Sequence, residues 1–327
     1  MGKPFDDSRR IAITGGSGFI GTNLVAVLSL DPNTEVVNLD ATPPRNEGHT
    51  RFWRQVDVRD RETLTRELAD FAPHYLIHLG ARTDLHGLKI EDYDVNTSGV
   101  KHVVEVANQI DSIRRVIFAS SRLVCEIGYQ PSSDTDYCPP NLYGQSKVEG
   151  ERIVRAHCRK PWVILRPTSI WGPWFGVPYR DFFDNVLRGT YVHISKKPVE
   201  KSFGYVGNAV HQIIALLTAP LSQVEGRTFY LSDYEPIEVR AFAEMIRQKA
   251  GLAPLRAVPY PLMRAVAGAG DIAARCGVKH VPLTSFRLAN LLTPMIHDSS
   301  ELSEIAGDLP YSSDEGIEAT LAWLRTQ

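Results

Sequence analysis

No run of lysine and arginine longer than two residues occurs in this chain, whose formal net charge is -2. Without a basic stripe, neither nucleic acid nor an anionic membrane is expected as the main partner, and small molecules are. Cysteine is scarce as well. Cys125, Cys138, Cys158 and Cys276 show neither a C-x-x-C pair nor the Cys/His spacing of a zinc site. Reduced thiols in the cytoplasm are expected, with no metal. The opening "MGKPFDDSRR" lacks the apolar core of a signal peptide, and "LMRAVAGAGDIAA" is interrupted by Arg264 and Asp271 before it reaches membrane-spanning length. No internal repeat or low-complexity segment stands out. What remains is a chain of 327 residues with 43% hydrophobic content, enough to bury a sizeable core in one large or two closely joined domains.

Through the first half, short apolar or β-branched runs ("RIAIT", "EVVNLD", "FWRQVD", "HYLIHLGA", "RRVIFASS", "WVILRP") alternate with helix-length amphipathic segments ("FIGTNLVAVLSL", "RETLTRELADF", "VNTSGVKHVVEVANQI", "YGQSKVEGERIVRAHC"). Strand and helix in regular alternation predict an α/β fold, a Rossmann-type doubly wound parallel sheet. After Pro167 the rhythm changes to the aromatic and proline-rich "GPWFGVPYRDFF", then "YVGNAVHQIIALL", the strand-like "RTFYLS" and a mostly helical tail. The expected division is a dinucleotide-binding domain over residues 1–167, with 201–233 returning to it, and a smaller substrate lobe from 168–200 and 234–327.

"IAITGGSGFIG" puts Gly15, Gly16, Gly18 and Gly21 directly after the first strand and at the start of the first helix. Backbone without Cβ atoms lets a pyrophosphate come close, and the helix N-terminus offers free N–H groups and a partial positive charge. Asp40, 19 residues after Gly21, suits the hydroxyls of an adenosine ribose. Its charge would repel a 2′-phosphate, which favours NAD over NADP. Arg45 sits in the turn chemistry of "TPPRNEG" and reads as a solvated loop charge. Asp57 and Val58 follow the third strand, where they would reach the adenine. An Asp at a strand end is equally well a helix N-cap.

"NLYGQSK" begins another helix and sets Tyr143 and Lys147 one turn apart on the same face. A phenol alone is no base near neutrality, but a fixed ammonium nearby favours the phenolate. The pair therefore has the makings of a proton-transfer group.

Taken in order, "TGGSGFIG", "DVRD", "HLGA", "VNTSGV", "FASS", "YGQSK", "LRP" with "IWGP", and "YVGNAV" resemble the extended short-chain dehydrogenase/reductase superfamily, specifically its NAD-dependent epimerase/dehydratase branch. The resemblance runs along nearly the whole chain. It implies that Tyr143 is the acid/base, that Lys147 binds the nicotinamide ribose and lowers the tyrosine pKa, and that Ser121 hydrogen-bonds the reacting oxygen. Ser120 would shape the turn. It further implies NAD contacts from Gly15, Gly18, Phe19, Ile20, Gly21, Asp40, Asp57, Val58, Leu79, Gly80, Ala81, Asn96, Tyr143 and Lys147. Asn96 reads otherwise as a cap for its helix. Substrate contacts would come from Thr83, Ser121, Arg122, Ser169 and Lys201. The implied chemistry is removal of a proton from an alcohol by the phenolate while hydride leaves the same carbon for nicotinamide. Return of hydride to the other face gives epimerisation, and release of the ketone gives a dehydrogenase. A homodimer formed through "SGVKHVVEVANQI" and "GERIVRAHC" is implied too, although both segments have apolar faces that fit packing on their own sheet.

The departures bear on substrate. Arg122 and Leu123 stand where the branch's dehydratases carry Asp-Glu, which argues against carboxylate-driven loss of water. Ser169 precedes "IWGP" where an asparagine is usual, and no "R-x-G-D" element appears around "LLTPMIHDSSE". Lys201, with Lys196 and Lys197, offers point charges for a diphosphate. "GYVGNAV" also resembles the 3β-hydroxysteroid dehydrogenase-like branch. Trp171, Trp174, Phe175, Tyr179, Phe182 and Phe183 would stack on a base, line an apolar pocket or fill a core. His193 and His211 read as packing or surface residues. The expected function is an NAD-dependent 4-epimerase or keto-sugar reductase on a nucleotide sugar, with an apolar-alcohol dehydrogenase or a non-catalytic NAD-binding scaffold as alternatives.

Overall fold

The computed structural model describes residues 8–195, 198–275 and 284–327. Lys196, Lys197 and Cys276 lie outside the described residues. Six strands alternate with helices through the first half: β1 (Arg9–Thr14), β2 (Thr34–Asp40), β3 (Trp53–Gln55), β4 (Tyr75–His78), β5 (Arg115–Ala119) and β6 (Trp162–Pro167). The helices α1 (Phe19–Leu28), α2 (Arg61–Phe71), α3 (Asp94–Gln109) and α4 (Leu142–His157) lie between them in sequence. The strand Arg227–Leu231 pairs in parallel with β6. It completes a seven-stranded sheet in the order Arg227–Leu231, β6, β5, β4, β1, β2, β3, parallel throughout.

Both faces of this sheet are covered, so its central strands bury apolar residues on both sides rather than on alternate ones. Ile11, Ile13, Ile77, Ile117, Val163 and Leu165 point to one face and join Leu24 and Val25 of α1 and Ala209, Val210 and Ile213 of the helix Val206–Thr218. Their neighbours Ala12, Leu76, Val116, Phe118 and Ile164 point to the other face, against Leu64 and Leu68 of α2 and Val100, Val103 and Val104 of α3. The first core continues without a break into the part of the chain after β6 through Trp171, Phe175, Phe183 and Phe242. These aromatic residues are core, each at most 2% exposed.

The apolar residues of α3 and α4 face the chain's own interior. Val100, Val103, Val104, Val106 and Ala107 of α3, and Val148 and Val154 of α4, are all buried.

One polar contact decides where α4 sits. Arg166 of β6 and Glu151 of α4 are both 1% exposed and joined by two bonds of 2.9 and 2.8 Å. Ser120 Oγ and Tyr137 Oη donate to the same carboxylate at 2.6 and 3.0 Å. Breaking a buried pair by removing one partner costs about 3–5 kcal/mol. This pair therefore fixes α4, and with it Tyr143 and Lys147, against the end of β5.

Candidate active site

The turn between β1 and α1 is tight for a reason that can be read at one residue. Gly15 has φ +76°, and a Cβ there would lie 2.4 Å from the backbone nitrogen of Gly80. Any other residue would be strained and would push apart the two strand ends that floor the groove. Gly18 precedes α1, a ten-residue helix whose N-terminus has no side-chain cap. Its first amides are thus free for an anion.

A groove of about 500 Å³ runs past this turn, lined by Gly15, Gly18, Asp40, Asp57, Val58, Leu79, Gly80 and Ala81 among others. Asp40 Oδ2 accepts from Ser17 N at 3.0 Å and Oδ1 from Thr42 N at 2.9 Å, which holds the carboxylate at the groove wall. Arg45 also lines the groove and donates to the carbonyl of Trp174 at 2.7 Å, so it ties the turn to the second lobe. Asp57 is paired with Arg59 at 2.6 Å. It does not cap α2, because Asp60 does. Asn96 is not a helix cap either. It lies inside α3, is 1% exposed, and exchanges bonds with the backbone of Arg82 while donating to Ser146 Oγ at 2.9 Å. Ser146 Oγ in turn donates to the Tyr143 carbonyl at 2.7 Å. Asn96 thus connects the loop after β4 to the turn of α4 that carries the tyrosine. Phe19, Ile20 and Gly21 belong to the first turn of α1 behind the groove, where Phe19 packs on Phe175. Thr83 is exposed in the loop after β4.

Just past the end of β5, the Ser121 hydroxyl accepts from Leu123 N at 3.1 Å and lies near enough to the Tyr143 phenol to act on its pKa. Lys147 lies one turn along α4, fully enclosed, with Nζ donating to the carbonyl of Ala119 at 3.0 Å. Burial pulls the Lys147 pKa down to about 8. Burial also pushes the Tyr143 phenol up to about 12, against the Ser121 hydroxyl and the charge of Arg122. Desolvation of the phenolate thus outweighs the neighbouring groups that favour it. Beneath Lys147, His78 Nδ1 and Thr14 Oγ1 bond at 2.6 Å. Burial and the lysine charge push His78 down to about 3, so the ring is neutral. His78 opens the "HLGA" stretch, where no residue pattern marks this role.

Beyond Tyr143 an apolar cavity of about 230 Å³ enters the second lobe, lined by Tyr179, Phe182, Tyr191, Phe203, Val239 and Leu292 among others. Ser169 and Lys201 lie on its wall. Lys201 Nζ donates to the Asn290 carbonyl at 3.2 Å, and burial followed by the charge of Arg122 lowers its pKa to about 8. His193 lines the same cavity, and His211 bonds to the Ala306 carbonyl at 2.9 Å, away from the site.

A doubly wound parallel sheet with an uncapped, glycine-lined helix N-terminus and an acid at the end of the second strand defines a Rossmann-type dinucleotide-binding protein. Residues 11–231 match the model of the NAD dependent epimerase/dehydratase family. The chain belongs to that family, and its cofactor is NAD. It is 29% identical over 268 residues to a 3-beta-hydroxysteroid dehydrogenase of Mycolicibacterium neoaurum, covering 75% of this chain and 72% of that protein. It is 25% identical over 324 residues to N-acetyl-alpha-D-glucosaminyl-diphospho-ditrans,octacis-undecaprenol 4-epimerase of Escherichia coli O157:H7, covering 96% and 94%. The UDP-glucuronic acid 4-epimerase of Bacillus cereus, solved with UDP-glucuronic acid and NAD, shares the fold with a TM-score of 0.72 at 18% identity over 97% of this chain and 99% of that one. Among the described residues no group of side chains is arranged to hold a metal ion, and no helix is long and apolar enough to cross a membrane.

Proposed function

We propose that the protein transfers hydride at a secondary alcohol carbon of a nucleotide sugar, either oxidising and re-reducing it as a 4-epimerase or reducing its ketone with NADH as a keto-sugar reductase. The observation that carries this reading is the placement of Tyr143 beside Ser121, with Lys147 one helical turn along α4 and bonded to the end of β5. Bound NAD supplies a hydride acceptor and, when oxidised, a positive charge. Ser121 holds the substrate oxygen as it changes between alcohol and carbonyl. Tyr143 takes the proton from that oxygen and gives it back, and the charge of Arg122, with that of oxidised NAD when bound, would offset the burial that disfavours its phenolate. The uncapped N-terminus of α1 fits the pyrophosphate of the cofactor, and Asp40 fits the ribose. Lys201, at the rim of the substrate cavity, fits one phosphate of a nucleoside diphosphate as a point charge. A homodimeric, cytoplasmic protein is part of the same proposal, on the strength of the family resemblance.

A second reading is favoured by the apolar cavity beside Tyr179, which suits the body of an apolar alcohol, and by the likeness to a hydroxysteroid dehydrogenase. Incubation of the NAD-loaded protein with UDP-, dTDP- and GDP-hexoses and with a 3β-hydroxysteroid separates the two. Conversion of a nucleotide sugar, followed by NMR, supports the first reading. Steroid oxidation with no change in any nucleotide sugar overturns it.

A further inference from the structure

A second cleft, of about 260 Å³, opens on the other side of the Ser121 loop. Arg122, Arg166, Tyr230 and His297 form part of its wall, and Glu126, Asp134 and Asp298 are exposed along it. Its cations differ in how far they are committed. Arg166 is bound to Glu151, to the carbonyl of Asp134 and to Tyr230. The Arg122 guanidinium makes no hydrogen bond or ion pair with any described residue, although it is half-buried near Tyr143, Tyr179 and Tyr230. A guanidinium left without an acceptor in such a cleft is open to an anionic ligand. His297 stacks on Tyr230 with ring centres 4.1 Å apart, and its Nε2 is buried with no partner. A partner-free guanidinium and a buried, unsatisfied ring nitrogen from segments far apart in sequence therefore meet in one cleft.

Position narrows what they would bind. Arg122 directly follows Ser121, and its charge is close enough to act on the Tyr143 phenol, so it serves the reacting end of a substrate. Lys201, by contrast, sits on the wall of the apolar cavity. We propose that this cleft receives a carboxylate carried by the substrate beside the carbon on which Tyr143 works, with Arg122 as a two-pronged donor and His297 as a second one. The proposal rests on the assignment of the reaction to Ser121 and Tyr143. A planar fork matches a carboxylate, and burial with the charges of Arg122 and Arg166 lowers His297 to about 4, which leaves a neutral ring able to donate from Nε2.

The test compares NAD-loaded wild type, Arg122→Gln and His297→Gln in thermal-shift titrations with UDP-glucuronate, UDP-glucose, UDP, D-glucuronate and D-glucose. Retained NAD binding shows that each variant is folded, and the His297 variant keeps the test alive should the Arg122 variant not fold. The wild type should prefer each acid over its neutral counterpart about tenfold or more, and either substitution should erase most of that preference. An Arg122-dependent preference for D-glucuronate over D-glucose, with no response to any UDP compound, would support the cleft while sinking the nucleotide-sugar reading. The inference is overturned by equal binding of acids and neutral sugars in the wild type. It is overturned also by an Arg122→Gln variant that weakens UDP as much as UDP-glucuronate, since Arg122 would then be a diphosphate ligand.

Discussion

Lys147 shows most plainly how a residue at this site works against the stability of the fold. Its pKa of about 8 lies below the ordinary lysine value of 10.5, and the difference is worth about 3 kcal/mol. Between these two values the folded chain binds fewer protons than the unfolded one, so the stability contributed by this group rises with pH across that window. At pH 7 the penalty is present in full. Replacing Lys147 with Met removes the charge but also the bond to Ala119, worth about 1 kcal/mol. The variant should therefore be more stable by about 2 kcal/mol at pH 7, less so near pH 10, and inactive. Denaturant titrations at the two pH values check the sign. Replacing Tyr143 with Phe should leave NAD affinity within about threefold, because the phenol lies past the groove, and lower turnover by about 10³-fold or more. Calorimetry and a turnover assay read the two effects separately, and undiminished turnover would remove Tyr143 from the chemistry.

Among the elements, the β1–α1 turn and α4 were the most legible in sequence. A strand, four glycines and a helix in that order leave little besides a phosphate-binding turn, and the φ of Gly15 shows why the first of them admits no side chain. Gly15→Ala should cut NAD affinity by at least tenfold by driving Gly80 out of the groove floor, measured by calorimetry; unchanged affinity would contradict this placement of the cofactor. Spacing alone could not show which acid caps α2, since Asp57 and Asp60 are both suitably placed and the choice follows from Arg59, which takes Asp57. Nor did position in α3 reveal that Asn96 reaches across to Arg82 and Ser146. The meeting of Arg122 with His297 was hidden for a stronger reason. "LLTPMIHDSSE" reaches the Ser121 loop only through tertiary pairing, in which Met295 aligns with Lys201 and His297 N donates to Ser202 Oγ at 3.0 Å.

At the scale of the whole molecule, the apolar strand runs made the parallel sheet readable, because strands covered on both faces carry no alternation to misread. Less readable was the dependence of the sheet on the second half of the chain. One face, with Ile11, Ile13, Ile77, Val163 and Leu165, is covered in part by the helix Val206–Thr218, and β6 has the strand Arg227–Leu231 as its outer neighbour. A chain ending at residue 167 should therefore lack a cooperative unfolding transition and bind a hydrophobic dye. A sharp transition in that fragment would show the first half to be self-sufficient.

An NAD-loaded Ser121–Tyr143–Lys147 site is proposed to act on an alcohol of a nucleotide sugar. The thermal unfolding midpoint of the NAD-bound protein, measured against UDP, dTDP and GDP, their sugar conjugates and a hydroxysteroid, tests it most directly, because a ligand that binds only the native state raises that midpoint. The account predicts a clear rise with one nucleoside diphosphate and a larger one with its sugar conjugate. A rise with the hydroxysteroid and none with any nucleotide would contradict it.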